Sequence, residues 1–257
     1  SHSGSQNEEM MNLFDELQFR LRADGVIRRT QTLPGIDESM DISLKAARLL
    51  QKQCASPMGV EIAVKKRIPI GGGLGGGSSD AATTLVVLNE LWQLHLDLAQ
   101  LLEIGLKLGA DVPVFINGRA AWGEGVGELL TPMNTLAEPW YLVIVPNTQV
   151  STAAVFSREE LTRNADAIKI RDFLHGKGEN VCEPVVFKLW PAVGEVARWL
   201  SQFGKARMSG TGAAVFCPFA SQGAAEMACS QMPAENNWQG FVQKGLNISP
   251  LLSRGRA

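Results

Sequence analysis

A run of six glycines in seven positions, Gly71 to Gly77 broken only by Leu74, constrains this chain more than any other feature. Glycine enters the left-handed backbone region without a Cβ penalty and lets a ligand approach the main chain closely. Ordering so many glycines is entropically costly, and a stretch that serves only as a flexible connector seldom leads straight into a well-patterned element. Here it does. Ser78-Ser79-Asp80 follows at once, and the spacing predicts a helix from about Ser79 to Leu94 with Ala81, Leu85, Leu88 and Trp92 on one stripe. Free N–H groups at the start of a helix, together with its dipole, favour an anion, and phosphate is the natural guest. Ser78 and Ser79 add hydroxyls suited to capping that helix or reaching a phosphate or metal.

Two familiar phosphate loops do not account for the run. Gly71-x-Gly73-x-x-Gly76 formally matches the dinucleotide fingerprint, which requires a following strand with an acidic residue about 20 residues on. The next strong pattern here is instead a second helix, Asp97 to Leu108, with Leu98, Leu101, Leu102 and Leu106 facing inward. A Walker A loop needs Gly-Lys-Ser/Thr, and the run contains no lysine. This is a third kind of phosphate cradle.

Composition removes other classes. The net charge of −2 lacks the basic excess of a nucleic-acid binder. The longest apolar run, Trp140 to Pro146, is far short of the roughly 20 residues of a membrane-spanning helix. Ser1 to Glu9 is polar, without the apolar stretch of a secretory signal, and Ser1 to Ser5 reads as an expression tag. Four dispersed cysteines, Cys54, Cys182, Cys217 and Cys229, read as reduced thiols of a cytoplasmic protein. His95 and His175 have no neighbour at metal-ligand spacing, so no metal ligands are assigned. Glu124 and Glu128 read as surface or turn carboxylates.

Along the chain, Ile42 to Lys52 is an amphipathic helix that Asp41 is placed to cap, and Val60 to Lys65 alternates as a strand. Pro113 interrupts the helical pattern. Val114-Phe115-Ile116 and Ala120-Ala121-Trp122 then read as short strands around Asn117-Gly118, and the unbroken apolarity of Trp140 to Val145 reads as a strand buried on both faces. Helices are expected at Ile168 to His175, Pro184 to Lys188, Val193 to Phe203 and Gln222 to Met232. A strand–loop–strand is expected across Ala206 to Cys217, with a last strand at Phe241 to Gly245. Strands and helices without regular alternation place the chain in the α+β class. A boundary near Gly123 gives domains over 1–122 and 123–246, with the tail 247–257 returning to the first.

Two further segments carry chemistry. Asp111, in Gly109-Ala110-Asp111-Val112-Pro113, sits in a turn that suits a general base, although turn aspartates often satisfy only local donors. Ser209-Gly210-Thr211-Gly212 lies between two expected strands and by itself is no more than a tight hairpin.

Taken in order, Lys66 to Ala82, Leu108 to Phe115, Gly123 to Glu128, Ser209 to Ala213 and Gly245 to Pro250 resemble the GHMP kinase superfamily, the group of galactokinase, homoserine and mevalonate kinases. The likeness runs from about Asp15 to the C-terminus. It implies two α+β domains with the active site in the interdomain cleft, and ATP with Mg2+ as cofactors. The branch it most resembles phosphorylates the 2-hydroxyl of a cytidine diphosphate-linked methylerythritol, a small-molecule substrate of the non-mevalonate isoprenoid route. Neither nucleic acid nor membrane is implied as a partner. By the resemblance, Pro69, Gly71, Gly72, Gly73, Leu74, Gly75, Gly76 and Gly77 wrap the ATP phosphates with Ser78 and Ser79, and Asp41, Ile42 and Lys66 lie near the adenine. Asp111 is the base, and Phe156 stacks on the cytosine with Thr152 beside it and Gly210 and Thr211 on the substrate side. The superfamily's Pro-Ala-Lys-Leu-Asn and Gly-Tyr-His segments, which carry a catalytic lysine and a second cytidine aromatic, have no counterpart here. On that ground roughly the first thirty residues of the natural protein are expected to lie outside this sequence. Two other readings stay open: a sibling kinase of another alcohol, and a regulator that binds ATP without turning it over.

Overall fold

Alternation along Gly59–Lys65 sends Val60, Ile62 and Val64 into an apolar core and Glu61 to the opposite face, and the first of two compact units is built around that strand. The structure, a computed structural model, describes residues 13–124, 129–133, 136–162 and 179–253. The expected helix at Ile168 to His175, the stretch Gly125 to Glu128 and the tag-like start lie outside those residues. The first unit gathers Phe14–Arg67, Gly75–Leu136 and Leu246–Ala257; the second is built on Ile68–Leu74 and Ala137–Gly245.

In the first unit, β1 (Glu16–Arg22) runs antiparallel to β3 (Gly59–Lys65), with Phe19 opposite Ile62, while β2 (Ile27–Arg29) pairs parallel on the other edge of β3. Helices α1 (Ile42–Gln53), α2 (Gly76–Leu91), α3 (Leu98–Leu106) and α4 (Val112–Asn117) cover the apolar face, where Leu44, Leu50, Ile62, Leu85, Leu88 and Ile116 are fully buried or nearly so. Asp41 caps α1 as expected, accepting from Ser43 N at 2.9 Å. Asp97 and Gln100 form a reciprocal capping box on α3.

Two expectations are corrected here. Val114-Phe115-Ile116 is helical rather than a strand: Pro113 stands in the first turn of α4, where its fixed φ suits a helix start and its missing N–H costs nothing. The helix after the glycine run starts at Gly76, not Ser79, with Gly75 as a left-handed N-cap, so Ser78 and Ser79 are inside the helix and do not cap it. A hairpin of β4 (Ala121–Glu124) and β5 (Leu129–Pro132) follows. The tail is tied in by Ala120 N to Asn247 O at 2.8 Å and Ser249 N to Gly118 O at 2.8 Å, ahead of the short helix Pro250–Ser253.

The second unit carries an antiparallel sheet in the order β7 (Arg207–Met208), β8 (Val215–Phe219), β6 (Trp140–Val145), β9 (Gln239–Lys244). As an inner strand with two apolar faces, β6 is buried on both, as its sequence implied. Leu142 and Ile144 pack beneath α6 (Glu183–Leu189), α7 (Pro191–Leu200) and α8 (Gln222–Ser230). On the other face Val143 and Val145 pack with Ala214 and with Leu74 of the glycine run. A mixed sheet with helices and an antiparallel sheet with helices make the α+β class expected.

Candidate active site

The glycine run divides its work between the two units. Gly71, Gly73 and Gly75 all take φ between +71° and +75°, the left-handed region that disfavours any side chain. At Gly73 the need is also spatial, since a Cβ there would lie 2.5 Å from Gly212 O and 2.7 Å from Ser209 O. That closeness comes from the Ser209–Gly212 turn between β7 and β8, which holds the loop by main-chain contacts. Ala214 N donates to Gly72 O at 2.9 Å, and Ser209 Oγ donates to Gly73 O at 2.8 Å. The turn is therefore more than a hairpin connection: it is the seat of the first half of the glycine loop.

Within the first unit the second half of the run opens α2. No side chain caps that helix, so its leading N–H groups remain available to a ligand. A Cβ on Gly75 would meet the Phe115 ring at 2.8 Å, which sets α4 against the start of α2. Asp111 precedes α4 at its N-cap, exposed, and its side chain makes no capping hydrogen bond.

Beside the start of α2 a cavity of about 450 Å3 is walled by Leu33, Ile36, Asp41, Ile42, Lys66 and Gly77, among others. Asp41, Ile42, Lys66 and Gly77, singled out at three separate places in the sequence, thus meet on one wall. Two of them already have partners. The buried Asp41 carboxylate caps α1 and accepts from Arg29 at 3.2 Å, so it shapes the wall instead of offering a free charge. Lys66 Nζ donates to Asp80 Oδ2 at 2.8 Å and pairs with Asp15. Burial pushes the Asp80 carboxyl up to about 7, against the pull of Lys66 and with the Asp15 charge adding to the rise. For Lys66 itself burial works to lower the pKa, but the hydrogen bonds to Asp15 and Asp80 prevail and raise it. Asp15 and Asp80 were not recognised as partners of Lys66 from the sequence. Asp80 stood inside the quoted motif, but its pairing across 14 residues has no periodic signature.

In the second unit, Ser151 caps the short helix α5 (Thr152–Phe156), which presents Phe156 with 54% of its surface exposed. The Thr152 and Thr211 hydroxyls are 2.9 Å apart and hydrogen-bonded, joining α5 to the Ser209–Gly212 turn. The structure so brings Pro69 to Leu74, Gly210, Thr211, Thr152 and Phe156 into one unit, and Asp41, Ile42, Lys66, Gly75 to Ser79 and Asp111 into the other. Among the described residues no three His, Cys, Asp or Glu side chains gather as a metal site.

Comparison with known proteins identifies the family. Residues 41–119 match the GHMP kinases N terminal domain, and residues 158–237 match the GHMP kinases C terminal domain. A curated 4-diphosphocytidyl-2-C-methyl-D-erythritol kinase from Nitrosococcus oceani is 53% identical over 246 residues, covering 95% of this chain and 86% of that protein. The kinase of the same name from Pseudomonas aeruginosa is 49% identical over 237 residues, covering 92% and 83%. Among solved structures, a 4-(cytidine 5'-diphospho)-2C-methyl-D-erythritol kinase superposes with a TM-score of 0.76 at 30% identity, over 91% of this chain and 87% of that one. A homoserine kinase from Cytophaga hutchinsonii, at TM-score 0.70 and 19% identity over 91% and 86%, shares the fold.

Proposed function

Because the chain belongs to the 4-diphosphocytidyl-2-C-methyl-D-erythritol kinase family of the GHMP kinases, we propose that it transfers the γ-phosphoryl group of ATP to the 2-hydroxyl of 4-diphosphocytidyl-2-C-methyl-D-erythritol, a step of non-mevalonate isoprenoid synthesis. The observation that carries this reading is the glycine run, left-handed at three alternate positions and opening directly into an uncapped helix, in a chain whose curated relatives bear that name.

Phosphoryl transfer asks the protein mainly to position its reactants and stabilise charge. ATP supplies the phosphoryl group, and Mg2+ bound with it would offset its charge. Magnesium retains water and binds largely through substrate phosphates, so a crowded protein cage is not required. The main-chain amides of Gly71 to Gly77 cradle the phosphates, with Ser78 and Ser79 in the first turn of α2 adding hydroxyls. The apolar wall of Leu33, Ile36 and Ile42 suits the adenine, and Lys66 borders the same cavity. Phe156 offers a stacking face for the cytosine, with Thr152 and Thr211 beside it. Asp111 takes the proton of the 2-hydroxyl as that oxygen forms its bond to the γ-phosphorus and the bond to the bridging oxygen of ADP breaks. Four free cysteines, three of them buried, accord with a cytoplasmic enzyme.

Asp111→Asn tests the assignment of the base. Its turnover should fall about 10²- to 10⁴-fold, while ATP affinity by calorimetry stays within about twofold, since the exchange removes a proton acceptor and little else. Equal turnover in the variant would remove Asp111 from the reaction.

A further inference from the structure

The Ser209–Gly212 turn supports both the glycine loop and the Thr152 helix, and its own support comes from Asn180, in the turn ahead of α6, and Glu183, the first residue of α6. Asn180 Nδ2 donates to Gly210 O at 2.7 Å and to Met208 O at 3.1 Å, while its Oδ1 accepts from Cys182 N at 3.0 Å. Glu183 Oε1 accepts from Met208 N at 2.8 Å. Both hydrogens of the Asn180 amide and its oxygen are thereby used. Closing this turn ahead of α6, whose N-cap is Cys182, needs only an acceptor, which Ser or Asp supplies as well as Asn. The two amide donors do nothing for α6. They reach main-chain carbonyls on either side of Ser209, which the amide of asparagine can do and the acceptor of Ser or Asp cannot.

We propose that Asn180 and Glu183 are positioning residues for the phosphoryl transfer proposed above, acting on nucleotide and alcohol together through one turn. Between them they fix Met208 and Gly210. The turn then fixes Gly72 and Gly73 through Ala214 N and Ser209 Oγ, and α5 through the Thr211 and Thr152 hydroxyls. All of these groups belong to the second unit. A shared support makes a definite signature: disturbing it weakens both substrates at once, whereas losing a contact to one ligand weakens that ligand alone. This inference rests on the proposed function for the meaning of the two sites, but not for the hydrogen bonds that join them.

Asn180→Ser keeps an acceptor for Cys182 N and removes both donors without adding charge. Steady-state kinetics of this variant should show KM raised roughly tenfold for ATP and for the cytidine-linked substrate alike, the effect of losing two ordinary hydrogen bonds. Glu183→Ala should do the same, and Glu183→Gln, which keeps an oxygen for Met208 N, should rescue it. Hydrogen exchange on the same proteins gives a readout free of catalysis: the Ala214 and Gly212 amides should exchange faster in Asn180→Ser while those of Leu142 and Ile144 do not change. If Asn180→Ser proves too unstable to assay, the Glu183→Ala and Glu183→Gln pair decides the matter by the same measurements. KM values unchanged in Asn180→Ser, or raised for one substrate only, would overturn the proposal. Should the unmodified protein turn over neither substrate, the functional reading falls, and unchanged exchange at Ala214 would sink the positioning role separately.

Discussion

Phe156, proposed to stack on the cytosine, and Asp80 show how differently two residues are tied to their surroundings. Phe156 is held in place by a capped helix turn, yet more than half of its surface is open. Stacking of an aromatic ring on a base contributes about 1–3 kcal/mol, so Phe156→Ala should weaken binding of the cytidine-linked substrate by roughly one to two orders of magnitude. ATP binding should stay as it was, and calorimetry with each ligand separates the two. Asp80 is buried, with a folded pKa of about 7 against an ordinary 3.8. The native chain therefore keeps a proton there that the unfolded chain has lost. The stability this contributes is full below the ordinary value and is lost as pH rises through about 7. Thermal melting should accordingly show a fall in Tm from about pH 5 to pH 8 that Asp80→Asn flattens; an identical slope in the variant would rule Asp80 out as its source. The sequence proposed Phe156 only through a family likeness, which carries a residue type to a position. It did not make the Lys66–Asp15–Asp80 cluster legible, since Asp15 and Lys66 are brought together by strand register, through Glu16 opposite Lys65.

Elements were read well where the period was long and misread where a few residues had to decide. The twelve residues of α1 and the alternation of β3 announce themselves, and β3 shows why alternation also fixes charge. Glu61 faces away from the core, buried beneath Arg20, Arg22 and Arg28, and hydrogen bonds from Arg28 and Arg20 hold its pKa down to about 2. The six residues of α4 read as a strand because Val114, Phe115 and Ile116 favour one, but Pro113 starts a helix that packs Ile116 against Gly105. Tertiary contact overrode local preference. The early start of α2 has a similar origin: glycine propensity argues against a helix at Gly76, and packing of Gly75 on Phe115 imposes one. Gly73→Ala tests the loop as an element. Its left-handed backbone alone costs about 1–2 kcal/mol for a non-glycine residue, and the new methyl has main-chain oxygens of Gly212 and Ser209 in its way. Lower Tm and weaker ATP binding should appear together. A variant that binds ATP normally would mean the loop tolerates displacement at this point.

At the scale of the molecule, the chain leaves the first unit at Ile68, re-enters it inside the glycine run between Leu74 and Gly75, leaves again at Ala137 and returns for good at Leu246. Sequence reading set a boundary near Gly123, whereas the compact units part between Leu136 and Ala137, and a chain that changes unit in mid-loop has no compositional mark. The tail carries a prediction of its own. Asn247 Nδ2 donates to Leu136 O at 2.7 Å, the Ala120 amide donates to Asn247 O, and Leu252 packs against Gly118. Removing everything after Gly245 should cost the first unit about 2–4 kcal/mol, at about 1 kcal/mol for each hydrogen bond plus the lost packing. Hydrogen exchange should then speed up at Ala120 and leave the amides of β6 unaffected; uniform acceleration throughout would contradict a tail that serves one unit. The central claim concerns the acceptor alcohol, and the most direct measurement is ADP release from ATP and Mg2+ on protein of verified intact mass, with 4-diphosphocytidyl-2-C-methyl-D-erythritol, homoserine and mevalonate compared side by side. Turnover with the cytidine-linked alcohol alone is the predicted result. Turnover with homoserine or mevalonate in its place would contradict the account.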